Sequence, residues 1–319
     1  MVLVGIFLLF LIPLAVGLGV GLDPRRERYT RTRTSSTIAP KSTTRSSLKP
    51  SATPSVKPSA PAPVTTPGSL WQPQVGASWQ IMLGQTLIVG KGQTVTPNVD
   101  IYDVDLFDTS AETIAALHDL GKHVICYFSA GSYEAWRPDA AKFAKTDLGS
   151  GVDGWAGENW VKTGSSTVRA AMTSRIALAA SKGCDAIDPD NVDAYNNGNG
   201  LGLTTADAVD FVKFLAATAA KYNMSTGLKN AGDIIPSVVS SVAFSVNEQC
   251  AEYRECDKYS AFVNAGKPVF HIEYPGDAPN PTAAELTASC TASGAKGFST
   301  VLKNMSLDKW VKYCNGQTA

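Results

Sequence analysis

Beyond residue 70 the chain alternates short apolar runs with longer amphipathic stretches. Eight runs have the length and the β-branched or aromatic content of buried parallel strands: WQIML from Trp79, VDIYDVDLF from Val99, KHVICYF from Lys122, CDAID from Cys184, MSTGL from Met224, VAFSV from Val242, KPVFHIEY from Lys267 and KGFSTVL from Lys296. The stretches between them read as helices. SAETIAALHDLG offers Ser110 as a cap, Glu112 in the first turn and Gly121 as terminator. STVRAAMTSRIALAASKG stops at Gly183, TADAVDFVKFLAATAAKY opens at a Thr204/Thr205 cap, and TAAELTASCTASG closes at Gly294. Strand alternating with helix eight times has two common solutions, an open doubly wound sheet or a closed barrel. No GxGxxG or GxxxxGK(S/T) opens a helix, which removes the usual nucleotide-binding open sheets. The expected fold is therefore α/β, a single (β/α)8 TIM barrel over residues 71–319, close to the roughly 250 residues such barrels usually take.

The chain ahead of the barrel has a different composition. Residues 1–22 carry no charge and are long enough to cross a bilayer as a helix, so a transmembrane signal-anchor, or a signal peptide, is expected there. Residues 23–70 are rich in Ser, Thr, Pro, Lys and Arg and poor in large apolar side chains, the composition of a disordered linker. Arg25, Arg26, Arg28, Arg31 and Arg33 come after the apolar segment, and the positive-inside bias would keep the C-terminal side of that segment in the cytoplasm. The cysteines and the linker point the other way. A single-pass membrane protein with an extracellular catalytic domain, or a secreted one, is the expectation.

Lys plus Arg number 28 and Asp plus Glu number 28, so the chain has no bulk charge with which to hold nucleic acid. Six cysteines behind an export segment permit up to three disulfides. Cys250 with Cys256 would close one small loop, and Cys290 with Cys314 would tie down a C-terminal helix. Cys126 and Cys184 sit inside apolar runs and read as buried free thiols. No CxxC is present, and His118, His123 and His271 do not form a ligand set, so neither metal nor other cofactor is expected. Asn223-Met224-Ser225 and Asn304-Met305-Ser306 are candidate glycosylation sites. A monomer is expected.

In a (β/α)8 barrel the chemistry gathers at the C-terminal ends of the strands. Those ends are acidic here: Asp103 and Asp105 in the second run, Asp188, Asp190 and Asp193 around the fourth, Glu248 after the sixth, and Glu273 in the seventh. Two carboxylates facing one cleft suit glycosidic-bond cleavage, one giving a proton to the leaving oxygen and the other attacking the anomeric carbon or activating water. Asp190 and Glu248 end their strands and are the candidate catalytic pair. Asp105 also reads as a buried hydrogen-bonding residue, and Asp193 as a helix cap. Candidate substrate contacts are Asp103, Asp105, Asp188, Asn191, Lys229, Asn230 and Glu273, with Tyr127, Trp155 and Tyr274 as rings for sugar stacking. Lys229 reads equally as the partner of a catalytic acid.

Taken in order, VDIYDVDLFDTS, HVICYFSAGSYEAWRPD, GWAGENWV, GCDAIDPDNVDAY, GLKNAGDI, FSVNEQC and HIEY resemble glycoside hydrolase family 114, and its fungal endo-α-1,4-galactosaminidases in particular, across residues 71–315. The resemblance implies endo-hydrolysis of α-1,4-linked galactosamine in a galactosaminogalactan-type exopolysaccharide by a retaining mechanism. It assigns Asp190 the role of nucleophile and Glu248 that of general acid/base. A cationic polysaccharide then becomes the expected partner, and one or more of Asp103, Asp105, Asp188 and Glu273 is expected to contact its amine. A non-catalytic carbohydrate-binding barrel and a hydrolase of another amino-sugar linkage are the alternatives.

Overall fold

All eight apolar runs become strands. The computed structural model describes residues 70–319, so the expected membrane segment and all of the linker except Leu70 lie outside the described residues. In chain order the strands are β1 (Trp79–Met82), β2 (Ile101–Asp105), β3 (His123–Ser129), β4 (Ser132–Glu134), β5 (Leu148–Gly151), β6 (Glu158–Val161), β7 (Ala186–Asp190), β8 (Ser225–Lys229), β9 (Phe244–Glu248), β10 (Val269–Glu273), β11 (Ser299–Leu302) and β12 (Lys312–Tyr313). Eight of them pair in parallel as β1-β2-β3-β7-β8-β9-β10-β11, and β12 adds antiparallel to β11. Side chains join the two ends of this curled sheet. Trp79 Nε1 donates to the Ser299 carbonyl at 2.7 Å, Ser299 Oγ to the Ala77 carbonyl at 2.7 Å, and Lys303 Nζ to Gln80 Oε1 at 3.0 Å. The result is the expected (β/α)8-type barrel.

Six helices rather than eight accompany the strands among the described residues: α1 (Ala111–Asp119), α2 (Ser166–Lys182), α3 (Thr205–Ala220), α4 (Ile235–Val238), α5 (Cys256–Asn264) and α6 (Ala283–Cys290). A loop without a helix joins β1 to β2. The capping signals act as read: Ser110 accepts from the Thr113 amide, Thr204 and Asp207 form a capping box, and Gly183 ends α2 in the left-handed region. The last helix is shorter than its sequence pattern, since α6 stops at Cys290 and Gly294 instead turns against Asp257.

Strand alternation sorts the apolar residues into two cores. Tyr102, Val104, Val124, Phe128 and Ile187 face the helices, whereas Trp79, Ile101, Ile125, Phe244, Val246, Phe270 and Ile272 fill the barrel. Three disulfides lock the frame. Cys250–Cys256 and Cys290–Cys314 form as expected, but the second joins α6 to the turn after β12, because the C-terminal residues are strand and turn rather than helix. Cys126 and Cys184 are not free thiols: they form the third bridge, with Cα atoms 6.0 Å apart. The reason is tertiary, since the parallel pairing of β3 with β7 brings together two runs 58 residues apart.

One feature has no counterpart in the expected pattern. Between β3 and α2 the chain forms a small antiparallel sheet, β4-β6-β5. Two buried arginines fasten it to the barrel. Arg137 makes a two-pronged pair with Asp105 (3.0 and 2.7 Å) and reaches Glu134 at 2.8 Å, while Arg175 of α2 holds Asp139 and donates to the Ser129 carbonyl.

Candidate active site

Three neighbouring strands end on charged residues: Asp190 on β7, Lys229 on β8 and Glu248 on β9. Each is followed by a residue in the left-handed region, Asn191 (φ 60°), Asn230 (φ 46°) and Gln249 (φ 62°). Asparagine tolerates that region better than most residues, so the chain can turn away from the barrel mouth at once and leave the preceding side chain in it. The β3 end passes close overhead, where Ala130 and Gly131 amides donate to the Asp190 carbonyl at 2.8 and 3.0 Å. Only glycine permits this approach, because a Cβ on Gly131 would lie 1.7 Å from the Asn191 carbonyl oxygen.

Lys229 is the hub. Its Nζ lies 3.5 Å from Asp188 Oδ2, 3.5 Å from Asp190 Oδ2 and 3.8 Å from Glu248 Oε2, and 5.0 Å from the centre of the Tyr127 ring. Burial opposes its charge, but the carboxylates around it outweigh that and hold the ammonium well above its ordinary pKa. Each outer carboxylate also has its own donors. Asp190 accepts from the Tyr127 hydroxyl at 2.9 Å and from the Asn191 amide at 2.7 Å. Glu248 accepts from the Tyr274 hydroxyl at 2.5 Å and from Asn230 Nδ2 at 3.0 Å, and Asn230 Oδ1 takes the Glu248 amide at 2.8 Å.

Below these lie two acids sealed from solvent. Burial, with Asp190 and Glu248 nearby, pushes Asp188 up to about 7 despite Lys229, and burial together with Asp188 holds Asp103 well above the carboxylate range. Ionising both would crowd two buried charges together, so between them the inner acids keep at least one proton around neutral pH.

The structure brings most of the candidate residues to this end of the barrel but changes what several of them do. Lys229 and Asn230 contact Asp190 and Glu248, and the Tyr127 and Tyr274 hydroxyls are engaged by the same two carboxylates. Asn191 is turned inward, its Nδ2 donating to Ser129 Oγ at 2.9 Å. Trp155 stands exposed on the turn between β5 and β6. Asp103, Asp105, Asp188 and Glu273 are the acids expected to meet a substrate amine. All four are buried; Asp105 is paired with Arg137, and Glu273 accepts from the Ala251 amide and bonds His271 at 2.7 Å.

Asp193 reads as a helix cap in the sequence, but it makes no capping bond, and its carboxylate stands near Asp190 and Glu248. Its place in the Asp-x-Asp-x-x-Asp run, 188 to 193, is the sequence signal that could have marked it. Among the described residues, Cys250, Cys256 and His271 are grouped closely enough to hold a metal, but both sulfurs are committed to a disulfide. Of the two glycosylation candidates, Asn223 is exposed, and Asn304 is half-buried and donates to Asp308 Oδ2.

Known proteins share this architecture. The model of glycoside-hydrolase family GH114 matches residues 60–319. The crystal structure of Aspergillus fumigatus Ega3 in complex with galactosamine is 53% identical, covers 79% of this chain and 100% of its own, and superposes with a TM-score of 0.73. The glycoside hydrolase domain of PelA from Pseudomonas aeruginosa is 14% identical, covers 72% of this chain and 96% of its own, and has a TM-score of 0.53, a likeness of fold alone. No curated protein sequence matches the chain significantly.

Proposed function

Because the chain belongs to glycoside hydrolase family GH114, we propose that it cuts internal α-1,4 linkages of a galactosamine-containing exopolysaccharide, with Asp190 and Glu248 as the reacting carboxylates. The observation that carries this reading is the pair of strand-end carboxylates on β7 and β9, both within 4 Å of one buried ammonium. Contacts of 3.5 and 3.8 Å to one shared neighbour are compatible with the roughly 5–5.5 Å carboxyl spacing of retaining enzymes. Glu248 gives a proton to the leaving oxygen as Asp190 attacks the anomeric carbon and forms a glycosyl ester. Glu248, now a carboxylate, takes a proton from water, and the water oxygen displaces Asp190. The galactosamine in the Ega3 complex supports the choice of sugar.

We place the reaction outside the cell, at the membrane or released from it. Three disulfides and the charge-free first 22 residues support that location. The test is digestion of de-N-acetylated α-1,4-galactosamine polymer by the purified chain, with product length and anomeric configuration measured by NMR. Oligosaccharides of several lengths with retained configuration are expected. Asp190→Asn and Glu248→Gln should each lower turnover by about 10²- to 10⁴-fold while melting as the wild type does. Wild-type turnover in either folded variant would refute the assignment.

A further inference from the structure

Phe270 and Ile272 of β10 point into the barrel, so His271 and Glu273, on the alternate row, point out toward the helices. Both are buried there. Polar side chains in that layer are costly unless they are bonded, and the bonds of these two run to one place. Glu273 Oε1 accepts from the Ala251 amide at 2.8 Å and from His271 Nε2 at 2.7 Å, and that nitrogen also lies 3.3 Å from Cys250 Sγ. His271 Nε2 therefore carries the proton, which leaves Nδ1 to accept from the Thr300 hydroxyl of β11 at 3.0 Å.

The segment gripped in this way is the turn that follows Glu248. Gln249 takes the left-handed region, its amide donates to the Ile272 carbonyl at 2.8 Å, and Cys250 is bridged to Cys256. Ala251 comes three residues after Glu248. Tyr274, the residue after Glu273, donates its hydroxyl to Glu248 Oε1 at 2.5 Å. Glu273 thus ties the backbone that aims Glu248 to the strand end that carries its hydroxyl donor.

We propose that Thr300, His271 and Glu273 form a clamp that positions Glu248, holding the turn at Ala251 so that the carboxyl group meets the leaving oxygen. Glu273 is a positioning residue, since it faces away from the mouth and acts through Glu248. The proposal rests on the reading of Glu248 as the general acid/base of a hydrolase. A reacting group misplaced by about 1 Å can lose roughly a hundredfold in rate, so a bond behind the site can govern turnover without touching the sugar.

Turnover of α-1,4-galactosamine polymer is measured for the purified chain and its variants, well below their melting temperatures. Glu273→Ala should lower kcat about ten- to a hundredfold with KM within about twofold of the wild type, as loss of an interaction made only in the transition state requires. Glu273→Gln keeps an oxygen for the Ala251 amide and should recover most of that loss. Thr300→Val frees only the far end of the clamp, should cost about threefold, and gives the reading if the alanine variant does not fold. The sharper comparison uses an aryl glycoside of the same sugar chain, assayed with azide. A weakly basic phenolate leaves without a proton, and azide, which needs no base, displaces Asp190 and forms the glycosyl azide. Both tasks of Glu248 are then bypassed, so Glu273→Ala and Thr300→Val should each come closer to wild-type turnover than on the polymer. Equal losses on the two substrates would show a general distortion of the barrel and overturn the proposal, as would wild-type kcat on the polymer in folded Glu273→Ala. A wild-type chain that cuts neither substrate would instead remove the hydrolase reading, and this role with it.

Discussion

The two halves of the barrel interior are built from the same strands and obey opposite rules. Toward the N-terminal ends, Trp79, Phe244 and Phe270 pack ring against ring, with centroids 5.0 and 5.5 Å apart. Two or four residues further along, the same inward-facing rows carry Asp103, Asp188, Asp190, Lys229 and Glu248. On β9 the row runs Phe244, Val246, Glu248, and on β8 it runs Ser225, Gly227, Lys229. Shape governs the lower half: a Cβ on Gly227 would lie 2.3 Å from Phe244 Cε2, so the missing side chain makes room for the ring. Charge balance governs the upper half, where one lysine stands against four acids and burial favours the neutral form of the inner two. The apolar floor thus bears the packing, and the layer above it can hold charges that a uniformly polar barrel could not keep dry.

The comparison breaks most visibly at its hub. Lys229→Met keeps the length of the side chain and removes the cation, leaving the carboxylates buried without a counter-ion. Destabilisation of about 3–5 kcal/mol is expected by denaturant melts. Turnover should fall at least about a hundredfold. A variant as stable as the wild type would show that the acids satisfy one another without it.

A smaller effect, confined to the lower half, is expected from Gly227→Ala. Overpacking against Phe244 should cost about 1–3 kcal/mol, and a Phe244→Leu background should return part of that. Additive losses in the double variant, measured by the same melts, would mean that the two residues do not meet. Tyr274→Phe is narrower still. It removes one donor from Glu248 and should lower turnover about tenfold with little change in melting temperature, as loss of a hydrogen bond to a charged group implies.

The finest probe is a slope. Burial raises Asp188 from 3.8 to about 7, so the folded chain keeps a proton that the unfolded chain gives up near 3.8. This contribution to stability is fully present below that lower value and is lost as pH rises through about 7. Between those limits Asp188→Asn should melt with a flatter dependence on pH than the wild type. Parallel melting curves would place the proton elsewhere, on Asp103.

Much of this was legible in the sequence. The eight apolar runs, the caps at Ser110 and Thr204, and the stop at Gly183 rest on local physics: burial periodicity, an orphaned amide that needs an acceptor, a backbone angle that favours glycine. Asp190 and Glu248 were visible as candidates because position at a strand end is also a local property. What a neighbour does with a side chain is not local. Asp105 and Asp193 look alike in the sequence, yet one is closed by Arg137, which follows the first strand of a small sheet that no periodicity announced, while the other makes no capping bond to the helical turn it precedes. Cys126 looks like core and is a bridge, because its partner arrives only when β3 pairs with β7.

By itself, then, the sequence determined the order of strands, the location of the acids at their ends and the identity of the two best candidates. Tertiary structure alone decided which carboxylates share one ammonium, which are sealed from solvent, and which are bonded within the protein. The reason is physical: a strand or a cap is set by residues a few positions apart, whereas the charge state of a carboxylate depends on its burial and on ions brought to it from other strands.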